Sequence, residues 1–296
     1  MAAGLPIVAS AALDQLCAAH LTRGEIAAAL GVLNDRGRVL RDVPIDATSA
    51  YAFNDYLLMG CEVSLAAGDL PGSVAYAERL AAMPCYRDYE HPALARRLEV
   101  DVIAGDLEGA VERGERFRAS WERAGRHRAS TLAAGTYSLA LAHGLLGQLA
   151  ERDEWQRVTQ HLLAARQVTT AGAATGWAPT LDALYLLDRG EAVAALERLA
   201  VGLDDPLWRA WNTGLWLPWY AAVWAEAAVL AAHPDAATRV AAAAEAAREN
   251  PVAAAVVRRA EALAAGNLDE VAGLASTFEA LGSTYQRDRS TRLAQG

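Results

Sequence analysis

The sequence predicts an all-α fold, an α-solenoid of about seven stacked helical hairpins forming one superhelical domain over 1–296. Three observations predict it. A glycine followed by an acidic or amide residue recurs at intervals of roughly 40: Gly24-Glu25, Gly68-Asp69, Gly105-Asp106, Gly147-Gln148, Gly190-Glu191 and Gly266-Asn267, with Pro234-Asp235 where a seventh copy is due. Each sits between two Ala-rich stretches of helical length, in a chain that is 53% hydrophobic and poor in strand-type runs. Finally, 296 residues exceed one routine core, yet nothing splits the chain, and a repeat array needs only its neighbours to bury each apolar face.

The elements follow in order from the punctuation. The first hairpin, 8–40, turns at Gly24 and stops before Pro44. The second, 47–82, turns at Gly68 and is closed by Pro84; the third, 92–124, opens at Pro92 and turns at Gly105. The fourth, 129–171, turns at Gly147 and ends at the glycine-rich break 172–176. The fifth, 177–202, turns at Gly190 and is closed by Asp205-Pro206. The sixth, 213–248, turns at Pro234-Asp235 and yields at Asn250-Pro251 to the seventh, 251–281, which turns at Gly266. The polar tail Tyr285–Gly296 alternates Arg with Asp and Ser and reads as a last helix that frays.

Seven positions before the turn glycines stand Cys17, Cys61, Ala140 and Ala183, with Leu98 and Arg259 as departures; five positions after stand Ala29, Ser73, Ala110 and Ala195, with Val271 larger. Small residues at both offsets suit helices that cross closely, because interaxial distance tracks the side chains at the contact. Three segments carry a likeness to a known family: Gly114-Glu115-Arg116-Phe117-Arg118 with Trp121-Glu122-Arg123-Ala124-Gly125-Arg126; Asn250-Pro251-Val252-Ala253-Ala254 with Arg258-Arg259-Ala260; and Phe278-Glu279-Ala280-Leu281-Gly282-Ser283-Thr284-Tyr285-Gln286-Arg287. They resemble the tetratricopeptide-like (TPR) helical arm of bacterial LuxR-type and signal-transduction ATPase regulators. The likeness covers most of the chain and implies a sensor or scaffold arm. In that family a nucleotide-binding domain precedes the arm and a DNA-binding helix-turn-helix can accompany it. Neither is recognisable here, so the chain reads as a fragment of such a regulator or as a stand-alone relative.

Composition excludes several classes of function. All 27 basic residues are Arg, so neither a P-loop lysine nor a lysine Schiff base is available. The net charge of −9 argues against a nucleic-acid partner. Cys17, Cys61 and Cys85 show no CxxC or Cys/His spacing, which predicts reduced thiols, no metal and no cofactor. No apolar run reaches membrane-spanning length and the N-terminus lacks a charged leader, so no membrane partner and a cytoplasmic location are expected.

Trp208, Trp211, Trp216, Trp219, Tyr220 and Trp224 form the densest aromatic cluster. They read either as a ligand platform with indole N–H handles or as a packed helical stripe. Counting back from each turn along the inner helix gives the predicted concave wall: Asp55, Glu62, Glu99, Tyr137, Trp177, Thr180 and Trp224. The binding candidates are therefore Tyr137, Trp177, Trp216, Trp219, Tyr220, Trp224, Glu62 and Glu99. The Arg113–Arg128 concentration reads as a helix laced with pairs such as Glu112–Arg116 and Glu122–Arg126. Thr22–Val32 has the cadence of a helix-turn-helix, but Gly37 falls where a recognition helix should run. Among six histidines, none in a metal spacing, His143 lies beside the predicted groove. Asp182 and Glu226, in apolar surroundings, are expected to show raised pKa values if buried.

The leading expectation is a TPR-like sensor or scaffold that takes a protein segment or a small apolar ligand in its concave groove. The alternative is an enzyme on the same solenoid, acting on an apolar biosynthetic intermediate in the Trp-rich pocket through His143, Asp182 or Glu226. A homo-oligomeric scaffold is a third reading. A continuous open groove would favour the binding module, and a deep closed cavity holding one of those three groups the enzyme.

Overall fold

The helices are defined by how they end. In the computed structural model, which describes residues 4–164 and 176–296, Gly24, Gly68, Gly105, Gly147, Gly190 and Gly266 all adopt positive φ, between 67° and 99°. The amide after each glycine donates to a carbonyl five residues back, for example Asp69 to Ser64 (2.9 Å) and Gln148 to His143 (2.8 Å). This closes the helix with a left-handed residue that L side chains disfavour. Asp69, Asp106 and Asn267 then cap the next helix, accepting from the amides of Gly72, Gly109 and Glu270. The recurring dipeptide is thus a C-cap joined to an N-cap.

The chain is all-α, with 16 helices and no strand among the described residues. They are α1 (Gly4–Leu21), α2 (Ile26–Leu40), α3 (Ala50–Ala66), α4 (Leu70–Ala81), α5 (His91–Ala104), α6 (Leu107–Arg123), α7 (Ala133–Leu145) and α8 (Leu149–Leu163). The second half holds α9 (Trp177–Asp188), α10 (Ala192–Arg198), α11 (Trp211–Gly214), α12 (Leu217–Leu230), α13 (Ala236–Ala247), α14 (Pro251–Ala264), α15 (Leu268–Ala280) and α16 (Thr284–Gln295). The end of the expected helix 151–171 and the break at 172–175 lie outside the described residues.

As the 8–40 hairpin expects, α2 runs through Gly37, which lies under the Tyr56 hydroxyl, where a methyl group would collide. Three local expectations are corrected. The expected helix from 213 is divided, because Pro218 has no amide to continue a helix and instead sits in the first turn of α12. At the turn of the sixth hairpin the left-handed residue is Ala232 (φ 49°) rather than Pro234, and Asp235 makes no side-chain cap. The C-terminal tail is a docked helix, α16, with Tyr285, Gln286, Arg289 and Ser290 buried.

Consecutive helices pack in pairs, and α3, α5, α7, α9, α12 and α14 also touch one another in turn. These inner helices are buried almost all round: α12 buries ten of its residues, including Trp219, Tyr220 and Glu226. Helices apolar on every face belong inside, whereas α6, polar on one side, lies outside. The crossing offsets hold in the first two pairs. The Cys17 thiol donates to the Ala29 carbonyl (3.5 Å), and the Ser73 hydroxyl to the Cys61 carbonyl (2.9 Å).

The C-terminal part folds back onto the N-terminal half, with α12 on α3 and α16 on α5. Trp219 Nε1 and Asn250 Nδ2 donate to the last carbonyls of α3, those of Leu65 and Ala66, both at 2.9 Å. Ser283 and Thr284 do the same for Ile103 and Ala104 at the end of α5. Among the described residues no helix is long and apolar enough to cross a membrane.

Candidate functional site

The inner face does not remain an open trough along its length. Around Val102, Leu141, Leu184, Trp219, Val256 and Tyr285 the returning helices leave only about 10 Å³. Where α3, α5, the start of α7 and the α11–α12 corner meet, a cavity of about 200 Å³ persists. Its charged wall is Glu62, Arg96 and Glu99, and its aromatic wall is Trp177, Trp211 and Trp216.

The charged wall is built by helical spacing. Arg96 and Glu99, three residues apart on α5, pair through Nη1 and Oε1 (2.9 Å). The other arm of the guanidinium reaches Oε1 of Glu62 on α3 (2.8 Å). Glu99 is only 4% exposed. Burial, helped by the charge on Glu62 and opposed by Arg96, pushes its carboxyl up to about 7.

Four of the eight predicted binding residues, Glu62, Glu99, Trp177 and Trp216, therefore meet at one cavity. Tyr137 stands behind that wall, its ring 5.2 Å from Trp177. Its hydroxyl donates to Asp182 (2.6 Å), and burial together with that carboxylate raises its pKa. The other three are elsewhere. Trp219 is in the core on the α3 carbonyl, and Tyr220 packs on Trp208 at 4.7 Å with its hydroxyl on the 201 carbonyl. Trp224 lies under the Arg239 guanidinium at 4.6 Å. The aromatic stripe is mainly packing, and only its first turn reaches the cavity.

No protein-family model matches this chain, and no curated protein matches it.

None of the three groups named for an enzymatic reading lines the cavity. His143 Nδ1 lies 2.6 Å from Gln148 Oε1, across the hairpin turn, and its Nε2 is buried without a partner among the described residues. The same positions in the first hairpin hold His20 and Glu25, also 2.6 Å apart, which identifies the pair as a turn latch. Asp182 is engaged by Tyr137 and by Arg198 (2.9 Å). Glu226 corrects its expectation. Burial acts to raise its pKa, but Arg259 and Arg289 on either side outweigh burial and hold the carboxyl below its ordinary value.

Among the polar wall residues, sequence reasoning missed Arg96 and Asn212, with the Ser130 and Thr131 hydroxyls, and it named Trp211 only as part of the aromatic cluster. Arg96 was findable from its i,i+3 spacing to Glu99; the remainder sit in short helical turns between the hairpins that the repeat register does not reach. The arginine-rich stretch is neutralised largely between helices. Arg116 pairs with Glu90 rather than Glu112, and Arg113 with Asp101 and Asp106, while Arg126 keeps its expected partner Glu122.

Proposed function

We propose that the chain is a TPR-like α-solenoid that acts as a sensor or scaffold, related to the arm of bacterial regulators, and takes its ligand in the cavity between α3, α5 and the α11–α12 corner. The support for the architecture is the repeated left-handed glycine with a cap after it, and the small-residue crossings Cys17–Ala29 and Cys61–Ser73. The observation that carries the binding role is the cavity itself. Wall residues from positions 62 to 216 converge on it, three tryptophans together with a few fixed polar groups. At about 200 Å³ it lies below the roughly 300–1,000 Å³ that encloses a drug-sized molecule. A small compound, or one side chain of a partner segment, suits it.

A thermal-shift screen followed by calorimetry tests the reading. Trp211 is 40% exposed, so Trp211→Ala should fold normally and weaken ligand binding by about tenfold or more, as removal of an aromatic anchor does. Trp224→Ala, outside the cavity, should bind like the parent. Ligands that ignore Trp211→Ala and respond to Trp224→Ala would move the site away from this cavity.

A further inference from the structure

We infer that the Trp-walled cavity selects an organic cation, an ammonium or guanidinium carried on an apolar body. The inference rests on the binding role proposed above and adds the chemistry of the ligand.

The charges on the wall do not balance. Glu62, Arg96 and Glu99 are the only charged residues lining the cavity among those described, two carboxylates against one guanidinium. Each carboxylate gives Arg96 one oxygen, Oε1, and the second oxygen of each accepts no hydrogen bond among the described residues. The guanidinium in turn has both terminal nitrogens engaged. A bound anion would have to displace a carboxylate from Arg96 and then face both carboxylates. A bound cation meets two free acceptor oxygens and relieves an uncompensated buried charge.

The opposite wall is suited to the same charge. Trp177, Trp211 and Trp216 line it, and the negative quadrupole of an indole ring attracts ammonium and guanidinium groups, most strongly where water is excluded. Ser130, Thr131 and Asn212 add neutral polar groups without a competing charge. The raised pKa of Glu99 is a further sign of unrelieved negative charge: the carboxyl takes up a proton near neutrality because burial and Glu62 together outweigh Arg96. The ionisable groups facing it are Arg96 on its own helix, and on α3 Glu62 and the Cys61 thiol, which burial keeps protonated. None of the six histidines lines the cavity.

This gives a pH dependence with a defined sign. Below about 7, Glu99 is protonated and the wall is neutral; above it, the wall carries a net negative charge. Cation affinity should therefore rise with pH through neutrality, by about tenfold in all, and level off on either side once Glu99 is fully protonated or fully ionised.

Calorimetry and tryptophan quenching with phenethylammonium, 2-phenylethanol and 3-phenylpropionate form the test, with Nα-acetyl-arginine methylamide standing for a partner's side chain. The expected result is saturable binding of phenethylammonium at least tenfold tighter than the alcohol, and none of the carboxylate. Glu62→Gln and Glu99→Gln should each lower that affinity about tenfold with melting still cooperative, and Glu99→Gln should flatten the pH profile. Tighter binding of the arginine derivative than of phenethylammonium would assign the cation to a partner segment; the reverse would assign it to a free amine. If the alcohol or carboxylate binds as well as the ammonium, and binding depends on Trp211, the cation inference falls and the cavity reading stands. If no probe binds, both fall.

Discussion

At the residue scale, the position after each turn glycine does two different jobs according to side-chain length. Asp69, Asp106 and Asn267 reach forward to cap the next helix. Glu25, Gln148 and Glu191 make no cap bond; they reach backward, to His20, His143 and Arg189. One extra methylene decides the direction. The glycines before them also differ. Nothing stands near a methyl group placed at Gly147, whereas at Gly105 it would strike the Tyr285 backbone. Gly147→Ala should therefore cost only the left-handed strain, about 1 kcal/mol by urea denaturation. Gly105→Ala should cost several times more, because α16 must move away. The thiols separate in the same way: burial pushes Cys17 up to about 11 and Cys61 to about 12, while Cys85 is exposed. A thiol reagent such as Ellman's should titrate only Cys85 in the native chain and all three cysteines after unfolding.

At the element scale, the departure at Arg259 explains itself. A crossing position that is small in four other hairpins here holds a fully buried arginine. Its Nε donates to Glu226 on α12 (2.6 Å), and its terminal nitrogens to Gln286 and Ser290 on α16. Arg289 of α16 reaches the other oxygen of Glu226 at 3.0 Å. Three helices are thus pinned by one carboxylate held between two cations. Glu226→Gln should lower stability by about 3–5 kcal/mol at pH 7, because it leaves two buried cations without a counter-ion. The sign of the pH effect follows from the lowered native pKa. The contribution of Glu226 is full above its unfolded value, near 4.5, and is lost as pH falls through the native value. Parent and variant should converge in urea midpoints only in that acid range; a gap that closed between pH 7 and 5 would contradict this account.

At the scale of the whole molecule, the ends of the inner helices decide the shape. A helix leaves its last carbonyls without partners, and here those of α3, α5 and α9 are satisfied from far along the chain. Asn250 donates to Ala66, Thr284 to Ala104 and Arg289 to Leu187. Asn250 serves two elements, since its Oδ1 also caps α14 at the Ala253 amide (2.9 Å). Asn250→Ala should lose a cap and a buried hydrogen bond, about 2 kcal/mol in all, and lower Tm by several degrees. Asn250→Asp, which keeps the cap but places a carboxylate against a carbonyl, should be no better. The same infolding fills most of the inner face and leaves the cavity at the α3–α5 end.

Much of this was legible in the sequence because it is local. A glycine at a left-handed site, an Asp or Asn after it, a proline in a first turn and small residues at crossing offsets each act within a few residues of themselves, so helix order and pairing follow from spacing. Glu62, Glu99 and Trp177 were placed on the wall by the same counting. The rest depended on partners remote in the chain. Trp219 and Trp216 are three residues apart and of one residue type, yet one caps α3 and the other lines the cavity. Glu226 looked like a carboxylate in apolar surroundings until two arginines, 33 and 63 residues away, reversed the effect of its burial. The polar tail looked loose for want of the carbonyls and the carboxylate that hold it. Sequence alone determined where most of the helices begin, end and turn. Tertiary structure decided which side chains satisfy the remaining carbonyls and charges, and hence where space is left, because those partners are set by the path of the whole chain.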